Sequence, residues 1–142
     1  MKMFPKYVLA LLIAFIANPA WAGDVLTADA ARKAALNGEV VLVDIRTPDE
    51  WAETGVPDVA HQIDLRDNQF VTKLKALMVA NPGKPIAAIC ATGGRSTYLT
   101  EALAKSGVQI LNVREGMFGS KSGPGWLNRK LPTRVPDAPR RQ

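Results

Sequence analysis

The chain has little of what would simplify its reading. Among 142 residues there is one cysteine, Cys90, and one histidine, His61. A single cysteine excludes an intrachain disulfide framework. The scarcity of cysteine and histidine also leaves no Cys/His ligand set of zinc-finger type. Aromatic residues make up only 6% of the chain, and no dense Lys/Arg cluster interleaves with them, which argues against a nucleic-acid surface. No internal repeat is visible. The longest apolar run, Val8–Ala17, has ten residues, and a membrane-spanning helix needs roughly 20.

That short run reads instead as part of an export signal. Lys2 and Lys6 precede it, Asn18 and Pro19 follow it, and Ala20-Trp21-Ala22 offers small residues at the two positions a signal peptidase reads. Residues 1–22 are therefore expected to be a cleaved secretory signal, with an uncleaved amino-terminal anchor as the alternative. A periplasmic or secreted location follows, with no stable membrane insertion after cleavage. Residues 23–142 then form one domain, long enough to bury roughly two thirds of its unfolded surface. Without Lys2 and Lys6, 16 basic side chains face 13 acidic ones, a mild net charge of +3. Part of this excess lies in residues 127–142, a basic, proline-containing tail that reads as an extended coat or a loose end.

Strand-like and helical patterns alternate along the mature chain. TADAARKAAL (27–36) has helical spacing, with Thr27 as cap and Asn37-Gly38 as stop. VVLVDI (40–45) is a β-branched run typical of a strand covered on both faces. In TPDEW (47–51), Thr47 caps, Pro48 occupies the first helical position and Glu50 completes a capping box. VAHQIDL (59–65) reads as a short strand. In FVTKLKALMVA (70–80), Phe70, Val71, Leu74, Leu77 and Met78 share one helical stripe, ended by Asn81-Pro82-Gly83. IAAIC (86–90) is a buried strand. The helix after it carries Tyr98, Leu99, Ala102 and Leu103 on one face, and VQILNV (108–113) supplies another strand. The pattern predicts an α/β fold, an open, mainly parallel sheet flanked by helices. Ligands of such sheets gather at the carboxyl ends of the strands. Cys90, Asp44 and Arg46 are all expected there.

An unpaired cysteine in an exported protein is a buried core residue, a link to another chain, or a reactive thiol. The surrounding sequence, CATGGRS (90–96), bears on the choice. Gly93 and Gly94 accept positive φ, so the N–H groups after the cysteine can converge into a nest. The next helix aims its positive end at the same spot, and Arg95 adds a permanent charge. These features favour a thiolate at Cys90 and an anionic substrate or adduct beside it. A plain glycine turn around an inert thiol is the competing reading.

CATGGRS resembles the active loop of the rhodanese family of sulfurtransferases. DIRTPDEW (44–51) and VREGMFGSKSGPGW (113–126) resemble two further segments of that family, in the same order. The resemblance implies a rhodanese-like fold and a two-step relay with no cofactor and no metal. Cys90 would take a sulfane sulfur from a small anionic donor such as thiosulfate, then pass it from a persulfide to a thiol or cyanide. Ala91, Thr92, Gly93, Gly94, Arg95 and Ser96 would form the sulfur-binding loop, with Arg95 shaping it and attracting anions. Asp44 and Arg46 would support the loop from behind, or serve only as a stabilising ion pair. In GVPDVAH (55–61), Val56 stands where the family often has histidine, so no general base carries over. His61 is expected to pack or face solvent. Glu115 replaces a common glycine.

Two other functions fit parts of the pattern. One is a persulfide carrier or protein-binding module with no small-molecule turnover and a protein acceptor that the residues do not name. The other is a cysteine-dependent phosphatase or arsenate reductase. Those enzymes have five residues between cysteine and arginine, whereas four separate Cys90 from Arg95, and Ile89 stands where they usually have histidine.

Overall fold

The computed structural model describes residues 24–138. The expected signal segment, 1–22, and the last four residues of the tail lie outside them. The first helix, α1 (Ala28–Leu36), starts where Thr27 accepts a hydrogen bond from Ala30 N. Ala28, Ala31 and Ala34 form its buried edge, and their small side chains let the helix lie close against the sheet. Strand β1 (Val41–Asp44) is buried throughout. It leads to α2 (Pro48–Thr54), whose capping box is complete: Glu50 N donates to Thr47 Oγ1 and Thr47 N donates to Glu50 Oε2. Then follow β2 (Val56–Pro57), β3 (His61–Gln62), α3 (Phe70–Ala80), β4 (Ile86–Ile89), α4 (Gly94–Lys105), β5 (Leu111–Val113), α5 (Gly125–Asn128) and β6 (Thr133–Arg134).

The main sheet runs β3-β1-β4-β5 with every neighbouring pair parallel. This is the expected open parallel sheet. Alternate residues of its strands supply two separate cores. Leu42, Ala87, Ile89, Leu111 and Val113 pack with α1, Trp51, Met117 and Trp126. Val41, Val43, Ile86, Ala88 and Cys90 belong to the opposite core, with Phe70, Leu74 and Leu99 from α3 and α4. Cys90 is thus walled by helices on one side and by the sheet on the other.

Some details depart from the sequence reading. The strand expected over 59–65 shortens to His61–Gln62, although Ile63 N and Leu65 N still donate to Asp44 O and Ile45 O. An edge segment has one partner only, and here it bends away after two residues. Val71 and Tyr98 are exposed rather than part of their helical stripes. Each lies one residue beside a buried position, Phe70 or Leu99, and so is turned about 100° toward solvent. The tail is an extended coat as far as it is described. Its β6 pairs antiparallel with β2, and Arg134 donates to Ala60 O and Gln62 Oε1. Val56, at the position where the family often has histidine, is a fully buried apolar residue of β2.

Candidate active site

Cys90 follows the last residue of β4, at the carboxyl end of the sheet's central strands, and is 1% exposed. Its Sγ accepts from Gly93 N at 3.2 Å and from Ser96 N at 3.4 Å. The thiol also meets Ser96 Oγ at 3.4 Å, while the Ser96 hydroxyl donates to Gly93 O at 3.2 Å. Ser96 is itself fully buried. The loop therefore wraps the sulfur with backbone donors at the start of α4; of the two glycines expected to take positive φ, Gly93 does and Gly94 does not.

The carbonyl side of the loop is turned the other way. Met117 N donates to Cys90 O and Phe118 N donates to Ala91 O, both at 2.9 Å. This docking brings two backbones into close approach. A β-carbon at Gly93 (φ 92°) would lie 2.1 Å from the Arg114 carbonyl oxygen, and one at Gly116 (φ 66°) would lie 2.4 Å from that of Ala91. Only glycine fits either place. Gly94 is different: its φ is ordinary and no atom lies within 4 Å of a β-carbon there.

The segment that docks on the loop is anchored by Glu115, which is buried. Its carboxylate accepts from Ala28 N at the start of α1, from Gly125 N at 2.9 Å and from Arg129 Nε at 3.0 Å. Two helix beginnings and one guanidinium therefore converge on it, a setting that suits a buried negative charge. The sequence comparison marks Glu115 only as a departure from glycine. Its anchoring role depends on contacts 87 residues apart and has no local signal.

Arg95 makes no hydrogen bond to the sulfur among the described residues, although the two charges feel each other through space. Its Nη1 and Nη2 donate to Glu50 Oε2 and Oε1 at 2.8 and 2.6 Å, a two-pronged pair between α4 and α2. The Arg95 guanidinium, helped by the hydrogen bonds from Thr47, holds the Glu50 carboxyl at about 2, against an ordinary 4.5. Asp44 and Arg46 are both fully buried and pair with each other, Arg46 Nη2 to Asp44 Oδ2 at 2.8 Å. Arg46 further donates to Thr54 Oγ1 and Gly55 O. The pair thus ties β1 to α2; it meets the loop through Glu50, whose carbonyl accepts from Arg46, and through the charge of Asp44, which Arg95 feels. His61 stands on edge strand β3, with no hydrogen bond to the loop among the described residues; desolvation and Arg134 lower its pKa.

The family model of the rhodanese-like domain matches residues 27–122, which include α1, the loop and the segment docked on it. The chain belongs to the rhodanese family. That family is of the sulfurtransferase type. An uncharacterized protein of Rickettsia prowazekii (strain Madrid E) is 27% identical over 104 residues, spanning 68% of this chain and 85% of that protein. Among solved structures, Rv0390 from M. tuberculosis superimposes with a TM-score of 0.56 at 24% identity, over 79% of this chain and 97% of its own. The polysulfide-sulfur transferase homodimer from Wolinella succinogenes does so with a TM-score of 0.50 at 26% identity, over 77% and 76%. The rhodanese match ends before Trp126 and β6, yet Trp126 is fully buried in the same core.

Two expectations follow from this geometry. Gly93→Ala should cost about 1–3 kcal/mol in urea unfolding, since it forces both a strained φ and a clash, while Gly94→Ala should stay within about 1 kcal/mol. The Glu50 contribution to stability should be complete above pH 4.5 and fade as the pH falls toward 2, because its folded value lies below the unfolded one. Unfolding midpoints measured across that range should fall more steeply for the parent than for Glu50→Gln.

Proposed function

We propose that the protein is a sulfurtransferase that moves a sulfane sulfur through a persulfide on Cys90. The observation that carries this reading is the thiol set against the N–H groups of Gly93 and Ser96 at the mouth of a glycine loop. The Cys90 thiolate attacks the outer sulfur of a donor such as thiosulfate. A new S–S bond forms, the donor's S–S bond breaks, and sulfite leaves with the electron pair. A thiol acceptor, or cyanide, then removes the outer sulfur and restores the thiolate. Dividing one transfer into two displacements is the benefit of covalent catalysis.

The loop residues have distinct tasks in this scheme. Gly93 and Ser96 donate to the attacking sulfur, and Ala91, Thr92 and Gly94 extend the same run of backbone toward the incoming one. Arg95 fixes the start of α4 against α2. Asp44 and Arg46 act as positioning residues behind α2. Similarity to a protein described as a polysulfide-sulfur transferase supports sulfane-sulfur chemistry as the common theme. Four residues between Cys90 and Arg95 suit a cradle for one sulfur atom better than one for a phosphate.

We further propose that the domain acts outside the cytoplasm, in the periplasm or after secretion, once residues 1–22 are removed; the pattern around Ala20-Trp21-Ala22 supports this. Amino-terminal sequencing of exported material should begin at Gly23, and recovery only in membranes with Met1 retained would refute it. The chemistry is tested by intact mass after thiosulfate treatment. The parent should gain one sulfur and lose it to cyanide, Cys90→Ser should gain none while keeping its fold, and aryl phosphates should remain unhydrolysed. Efficient phosphate hydrolysis without sulfur loading would overturn the assignment. Sulfur loading without turnover would identify a persulfide carrier instead.

A further inference from the structure

The charge around the loop is arranged in a way that sulfur transfer alone does not require. Arg95 is the cation the loop itself supplies, and both of its terminal nitrogens are committed to Glu50, leaving only Nε outside the pair. Glu50 is in turn held from several sides. Its carboxylate closes the capping box with Thr47, and its carbonyl accepts from Arg46 Nη1 at 3.4 Å. Arg46 is fully engaged with Asp44, Thr54 and Gly55. Arg66, which feels the charges of Asp49 and Glu50, is paired with Asp64. On the other side of α4, Arg114 lines a separate groove with Glu101 and Asp24. Among the described residues, Arg46, Arg66 and Arg95 on the β1 side of the loop are thus each answered by a carboxylate of this chain.

This has unequal consequences for different donors. Thiosulfate carries two negative charges, and its attack by a thiolate gathers three at the reacting centre, released as sulfite and a persulfide anion. An alkyl hydropersulfide, RS–SH, reacts with less charge. The Cys90 thiolate attacks the terminal sulfur, the RS–S bond breaks, and the departing thiolate takes up the proton as RSH. Backbone N–H groups alone can serve the second reaction. The first gains far more from a free guanidinium.

We infer that Glu50 determines donor specificity: by holding Arg95 it withholds a guanidinium from the reacting anion, and so favours low-charge persulfide donors over dianionic thiosulfate. This inference rests on the sulfur-transfer reading above. Glu50 acts through Arg95 and is a positioning residue. The glutamine variant separates its two tasks, since Gln can still complete a capping box but carries no charge.

The test compares loading of Cys90 by thiosulfate and by an alkyl hydropersulfide with no other charged group, which carries at most one negative charge, in the full mature chain. Glu50→Gln should raise the thiosulfate-to-hydropersulfide ratio of kcat/KM about tenfold, mainly through a lower KM for thiosulfate, with a steeper dependence on salt. The gain should shrink severalfold when Arg95→Gln is also present, because no guanidinium then remains to be released. An unchanged ratio would overturn the inference while leaving sulfur transfer intact. So would an equal gain in the Arg95→Gln background, which would make Glu50 a remote negative charge and nothing more. If neither donor loads the parent, the functional reading fails and this inference fails with it. Thermal midpoints of all variants, taken in parallel, identify any effect that comes from unfolding.

Discussion

Two hydrogen bonds decide which way the cysteine loop faces. By donating to the carbonyls of Cys90 and Ala91, Met117 and Phe118 turn the acceptor side of the loop inward, toward the protein. The donor side is left toward the sulfur. Glycine at 93 and at 116 is required because this pairing brings two main chains within contact distance. Glu115 in turn sets where Met117 and Phe118 lie, and it does so by answering the beginnings of α1 and α5. Much of the domain outside the loop can thus be seen as a frame for the orientation of a few peptide groups.

Much of the fold was legible in the sequence because its signals are local. Pro48 and the Thr47–Glu50 box define the start of α2, and Asn81-Pro82-Gly83 closes α3 at the residue expected. The β-branched run at 41–44 and the apolar run at 86–89 pair in parallel as their composition suggests. The short edge strand and the exposure of Tyr98 have no such signal, because burial there depends on what lies beside them, and periodicity does not report that. For the site, the turn and its glycines were visible, as was the resemblance to rhodaneses. The Glu50–Arg95 pair, 45 residues apart, was not. Each residue has a local signal of its own, one as a cap and the other as a charge. Only the three-dimensional arrangement couples them.

That coupling changes how the loop's charge is understood. From sequence, Arg95 is an unshielded cation beside a thiol. In the fold it is half of a pair that links two helices, and the neighbouring Asp44–Arg46 pair is similarly self-contained. A positive residue near a nucleophile therefore says little about the field at that nucleophile until its own partners are known. Here the groups that donate to the sulfur are backbone N–H groups at the start of a helix, and such dipoles act over short range only.

The solitary, buried sulfur has a further consequence whenever an oxidant reaches it. A chain with a second nearby thiol could resolve a sulfenic acid by closing a disulfide, but this one has no other cysteine. Any hydroxylated sulfur at position 90 must await a small thiol from outside, or proceed to the irreversible sulfinic stage. The supply of thiols from outside the chain is then the condition for keeping the sulfur reduced.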